Sequence, residues 1–130
     1  INKIRWSFKE ENYDIFEYYK GLIKLRKEHP MFRFKSAEQI KKNIKFLDDM
    51  GHDLPEKCVG YLINKGNSED QWSEILVLLN PNHHKVKIPI PEKRWSVVVN
   101  EEKAGTEMLE PVSSSPVEVE PISAMVMYRL

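Results

Sequence analysis

The chain has 130 residues, with 20 Lys and Arg balanced by 20 Asp and Glu, so its net charge is zero. That length suits one domain. The charge balance withholds the concentrated cationic surface that nucleic acid demands, and no apolar run approaches the roughly 20 residues of a membrane-spanning helix. The single Cys58 excludes an intrachain disulfide and suits a reducing compartment. A cytoplasmic location is therefore favoured, with secretion left open.

At Ile1 there is neither an initiator Met nor a signal-type segment, and the chain is expected to begin inside a longer polypeptide. Ser7-x-x-Glu10 fits a capping box, with Asn12 as a second cap. From there Ile15, Tyr19, Leu22, Ile23 and Arg26 recur at three- and four-residue steps, widened by Phe16 and Leu25. Glu17, Lys20, Lys24 and Lys27 fall mostly on the other side. This is one amphipathic helix, and Pro30 ends it near Glu28 by barring the α conformation from His29. A lone helix has no helical partner, so its stripe must face the strands, another copy, or polypeptide outside this chain. Partial packing with self-association through the stripe is the favoured expectation.

After Pro30 the signals turn to strands. Met31 to Phe34 reads as extended, and Ser36 to Lys42 as a short helix capped by Ser36. Strands are expected at 44–47, 58–63, 75–79, 86–90, 95–99, 117–119 and 124–128. The run Ile75-Leu-Val-Leu-Leu79 suits burial on both faces, whereas Val86, Ile88 and Ile90 alternate with wetter positions. Gly105 is expected at φ > 0 in the turn after Glu101. Seven or eight short strands between turn signals predict an antiparallel β-sandwich preceded by the helix. Its expected core is Trp95, Val97, Val99, Val117, Val119, Ile75, Val77, Leu79 and Val126.

No residues stand out as catalytic. Glu118 and Glu120 are the wet side of a strand, Glu101, Glu102 and Glu107 flank a turn, and Asp48, Asp49 and Asp53 form a loop cluster without the alternation of a calcium loop. His83-His84 reads as a surface turn rather than a metal site, and His29 as a helix-end cap. Cys58 opens an apolar strand as a packed thiol. Neither metal nor cofactor is expected. Trp95 belongs to the core. Trp72 is foremost a packing lid, with a sugar platform as the minor reading. Trp6 belongs to whatever precedes Ile1.

Two segments together carry a resemblance. One is Ile1-Asn-x-Ile-x-Trp6 leading into Tyr18-Tyr-Lys-Gly-Leu-Ile-x-Leu-Arg-Lys-Glu-His-Pro-x-Phe-Arg33. The other is Trp95-x-Val-Val-Val-Asn-x-Glu-Lys-Ala-Gly-Thr-Glu107, with Ile122-Ser-Ala-Met-Val126 at the end. The pair resembles the C-terminal end of bacterial type I pullulanases, debranching enzymes of the α-amylase superfamily. The resemblance implies that residues 1–30 close a catalytic (β/α)8 barrel and residues 31–130 form the C-terminal sandwich. It also implies that the catalytic acids all precede this chain. The role implied here is structural, in a parent that cleaves α-1,6-glucosidic bonds of pullulan, glycogen or starch dextrins. The implied partners are the upstream barrel and, through the parent, α-glucan. Asn2 and Trp6 would then be the substrate-proximal candidates, although the family's aspartate before that Trp is Arg5 here. A glucan-binding module and a free-standing immunoglobulin-like interaction domain are the alternatives.

Overall fold

The computed structural model describes residues 3–130. The amino-terminal helix is broken in two, α1 (Ser7–Glu11) and α2 (Tyr13–Glu28). The capping box does not form: Trp6 occupies the cap position, without a side-chain bond. Asn12 makes the break, its backbone leaving the helix at φ −122° and ψ 46° while its side-chain amide donates to the Phe8 carbonyl. A short amide that competes for backbone partners stops a helix as readily as it starts one. At the other end α2 stops as Pro30 requires, with His29 extended. Residues 30–32, expected to be extended, instead wind into a 3-10 turn that Pro30 opens. α3 (Ala37–Asn43) is capped as expected, Ser36 Oγ accepting from the Gln39 amide at 3.2 Å.

Eight strands follow: β1 (Ile44–Phe46), β2 (Val59–Asn64), β3 (Glu74–Asn80), β4 (Val86–Ile88), β5 (Trp95–Val99), β6 (Glu110–Val112), β7 (Val117–Val119) and β8 (Ser123–Arg129). All pair antiparallel, in a six-stranded sheet of order β1-β2-β3-β8-β5-β6 and a two-stranded sheet of β4 and β7. β6 is not visible in the sequence, because Glu110-Pro-Val112 carries no alternation and holds a proline. An edge strand tolerates both.

The large sheet is buried on both faces. On one, β4 and β7 cover Leu62, Leu76, Leu78, Trp95, Val97, Met125 and Met127. On the other, α2 and the turn after it cover Ile63, Ile75, Val77, Val98, Val99 and Val126, with Leu25, Met31 and Trp72. The continuous apolar run of β3 therefore serves two cores, as its composition implies. The expected single core is divided: Ile75, Val77, Val99 and Val126 lie on the helix side, Trp95, Val97, Val117 and Val119 on the other, and Leu79 is exposed. A bulge between Val97 and Val99 sends Val99 to the helix side, opposite Trp95 and Val97. Leu79 is 38% exposed at the end of β3. Gly105 is not among the positive-φ residues, which among the described residues are Gly51, Gly66, Lys57 and Ile122.

Candidate functional site: the helix seam and its exposed face

The inner side of α2 is Tyr18, Gly21, Leu22 and Leu25, spaced as one face of a helix and packed on the sheet. Gly21 meets the 100–106 turn so closely that a Cβ there would lie 1.8 Å from the Ala104 carbonyl oxygen. One turn earlier, the Tyr18 hydroxyl donates to the Asn100 carbonyl at 2.7 Å. The turn is tied by its own bonds: Asn100 Oδ1 accepts from the Glu102 and Lys103 amides at 2.9 and 2.8 Å, and the Gly105 amide donates to Val98 at 3.1 Å. Burial pushes the Tyr18 phenol above its ordinary value, with Glu101 adding to the shift. The hydroxyl therefore remains a donor at neutral pH.

At the end of α2 a polar clip closes the seam. His29 Nδ1 lies 2.8 Å from Asp70 Oδ1, which also accepts from the Trp72 amide at 2.9 Å. Asp70 Oδ2 accepts from the Met31 amide at 3.2 Å. The His29 ring stacks on Trp72 at 3.4 Å between centroids, and Trp72 stacks on Tyr128 at 4.0 Å. Asp70 is a buried carboxylate whose oxygens are occupied by three nitrogens, so it holds the loop to the helix end. His29 is thus more than a helix-end cap. The sequence signal for Asp70 is weak, one acid in a polar connection.

The outer side of α1 and α2 is different. Ile4, Trp6, Phe8, Ile15, Phe16, Tyr19 and Ile23 are all exposed, Tyr19 at 63% and Ile23 at 59%. Of the sequence-derived stripe, only Leu22 and Leu25 turn inward to the sheet. On the large sheet, Phe46, Val59 and Leu79 also remain exposed. These share the helix-side face with Tyr61 and Val77, as the pairing register and alternation require.

Of the sequence-derived site residues, Asn2 lies outside the described residues. Trp6 is 77% exposed at the start of α1. Trp72 is 5% exposed with both ring faces covered, so it is a packing residue with no face left for a sugar. Trp95 is buried, donates its indole N–H to Pro91, and lies under the Arg129 guanidinium. The acids stay apart. Glu118 and Glu120 pair with Lys85 at the surface, while Asp48, Asp49, Asp53, Glu101, Glu102 and Glu107 are exposed. Glu74 is bound by Lys93 at 3.0 Å and by Arg129. Burial works against its charge, but these two cations outweigh burial and hold its carboxyl below the ordinary range. Cys58 is buried, which pushes its thiol up despite a hydrogen bond from Asn82. His83 and His84 are exposed in a turn. Among the described residues, no three His, Cys, Asp or Glu side chains are grouped to hold a metal ion.

The two sequence segments that carry the resemblance are the two halves of this seam: residues 18–30 supply the helix, and 98–106 the turn it rests on. Residues 40–103 match the family model for the pullulanase all-beta domain. A pullulanase of Bacillus subtilis strain 168 is 30% identical over 91 residues, 70% of this chain and 12% of that protein. Among solved structures, the pullulanase from Bacillus acidopullulyticus superposes with a TM-score of 0.89 at 30% identity, covering 99% of this chain and 15% of that one. The type I pullulanase of B. subtilis strain 168, in complex with maltose, gives a TM-score of 0.83 at 25% identity, over 99% of this chain and 17% of that one. The chain thus spans less than a fifth of the length of these relatives. It is a pullulanase-type all-beta domain with a helical segment packed ahead of it.

Proposed function

We propose that the chain is the non-catalytic C-terminal region of a debranching glycoside hydrolase that cleaves α-1,6-glucosidic bonds in pullulan, glycogen or starch dextrins. Residues 1–30 would be the end of its catalytic barrel and 31–130 its C-terminal sandwich. The role of the region is structural: it holds the last helix by the seam and presents the outer side of α1 and α2 to the upstream domain.

The observation that carries this reading is the arrangement of the acids, taken with the likeness to pullulanases. A retaining glycosidase sets two carboxyl groups about 5–5.5 Å apart across a cleft. Here the buried carboxylate, Asp70, is filled by backbone amides and His29, and the partly buried Glu74 is neutralised by two cations. The relative solved with maltose supports an α-glucan substrate for the parent. The covered faces of Trp72 and the burial of Trp95 speak against a sugar-binding module.

Release of reducing ends from pullulan tests the reading. The parent chain should release them, and the 130-residue chain should release none at any concentration. Hydrolysis by the short chain, or a parent inert on every branched α-glucan, would falsify it.

A further inference from the structure

α1 and α2 adjoin but are held in unlike ways. Residues 3–17 are all exposed, and α1 buries no side chain. The ties between the two helices lie at the surface. The Asn12 backbone amide and side-chain amide both donate to the Phe8 carbonyl, at 3.0 and 3.1 Å, and the Lys9 ammonium lies over the Phe16 ring at 4.4 Å. From Tyr18 onward α2 is instead fastened to the sandwich: Tyr18 to Asn100, Gly21 against Ala104, Leu22 and Leu25 on the sheet, His29 to Asp70. The end of α2 has no slack either. Arg33 donates to the Arg26 and Lys27 carbonyls at 2.9 and 3.1 Å, and Arg26 reaches forward to the Phe32 carbonyl at 2.9 Å. The last carbonyls of a helix have no partner within it, and here two of them are bonded by Arg33 of the segment that follows. Met31, directly after Pro30, is fully buried in the helix-side core.

Segments that share buried contacts open together, whereas a helix as short as α1, with only exposed bonds, opens by itself. We infer that α2 and the sandwich are one cooperative unit, and that the joint to the polypeptide ahead of them is Asn12 rather than His29-Pro30. Asn12 has what a joint requires: its backbone is out of helical geometry at φ −122° and ψ 46°, and both it and its neighbours are exposed. Pro30 ends a helix without ending a structural unit, because Met31 is buried together with Leu25 of that helix. The sandwich therefore carries α2 with it when the upstream polypeptide moves or unfolds. The existence of an upstream domain rests on the proposed function; the attachment of α2 does not. By order in the chain residues 1–30 close the barrel, but by attachment only the part ahead of α2 is free of the sandwich.

Native-state hydrogen exchange read by mass spectrometry tests it, on the 130-residue chain and on the parent. In the short chain, as urea is raised, peptides covering 22–29 should open together with those of β3 and β8, while α1 exchanges orders of magnitude faster at every concentration. In the parent, 22–29 should again follow β3 and β8, even where the upstream domain opens first. Asp70→Asn keeps the size of the side chain but weakens its hold on His29. It should speed the opening of α2, β3 and β8 by one common factor and leave α1 unmoved. Exchange of 22–29 ahead of β3 and β8 in either chain overturns the inference, as does an Asp70→Asn chain in which α2 alone opens faster. None of these readouts involves hydrolysis. A parent that debranches no glucan while α2 opens with β3 and β8 would refute the proposed function and leave the joint at Asn12 standing.

Discussion

The two faces of the six-stranded sheet are covered by different means. On one, β4 and β7 close a largely apolar core, with Trp95, Leu76, Leu78 and Met127 fully buried and one buried amide, Asn80, donating to the Val119 carbonyl of β7 at 3.2 Å. On the other, a single helix lies across the sheet, fixed by a glycine contact, a tyrosine hydroxyl and a buried His29–Asp70 pair. Part of the large sheet, at Phe46, Val59 and Leu79, and the helix's own outer side stay bare. The first face is held mainly by hydrophobic burial, which is non-directional, with Asn80 tying β3 to the end of β7. The second needs directional contacts, because one helix covers too little area to hold itself in place by burial alone. The difference marks which side of the domain is self-sufficient and which is built to be covered.

The largest test of that contrast is on the strand-covered face. Trp95→Ala should cost about 3–5 kcal/mol in urea unfolding, the usual loss for a buried large aromatic. A cost under about 1 kcal/mol, the scale of surface changes, would mean that this face is not sealed.

On the helix-covered face, Gly21→Ala sets two effects against each other. Alanine favours the helix over glycine by about 1 kcal/mol. The new Cβ, however, would meet the Ala104 carbonyl at 1.8 Å, and backbone cannot yield as a flexible side chain can. Overpacking of this kind costs about 1–3 kcal/mol, so the variant should be less stable, with the 100–106 amides exchanging faster. A stabilised variant would show that the seam is loose.

The smallest effect lies at the sheet margin. The Glu74 carboxyl is held below its unfolded value by Lys93 and Arg129. Its contribution is therefore present above the unfolded pKa and is lost as pH falls through the lowered folded value. The side chains of Lys93 and Arg129 are a third or more exposed or close to it, so the pair is screened, and the contribution should be no more than about 1 kcal/mol. Glu74→Gln should be less stable than the unaltered chain at neutral pH, and the gap should close in acid. A gap that widens in acid would reverse the assignment.

Much of this architecture is legible from residue order. Pro30 ends α2, Ser36 caps α3, and alternating or continuous apolar runs find seven of the eight strands, because each of these is a local effect of ring closure, capping or pleat. Where local signals compete, the reading goes astray. Asn12 could start or stop a helix, and in the folded chain it separates two. Val99 shares the parity of Trp95 and Val97, yet a bulge that no composition announces moves it to the opposite core.

The apolar stripe of α2 is evident from its period alone, since 3.6 residues per turn places Ile15, Tyr19 and Ile23 together. Which edge of that stripe meets the sheet is a tertiary matter. It depends on where Gly21 lets two backbones approach and where His29 finds Asp70, 41 positions along the chain. Covalent order determines periodicity, caps and breaks because they act over a few bonds. The seam, the two-sided sheet and the bare outer face are decided only when distant segments compete for the same surface.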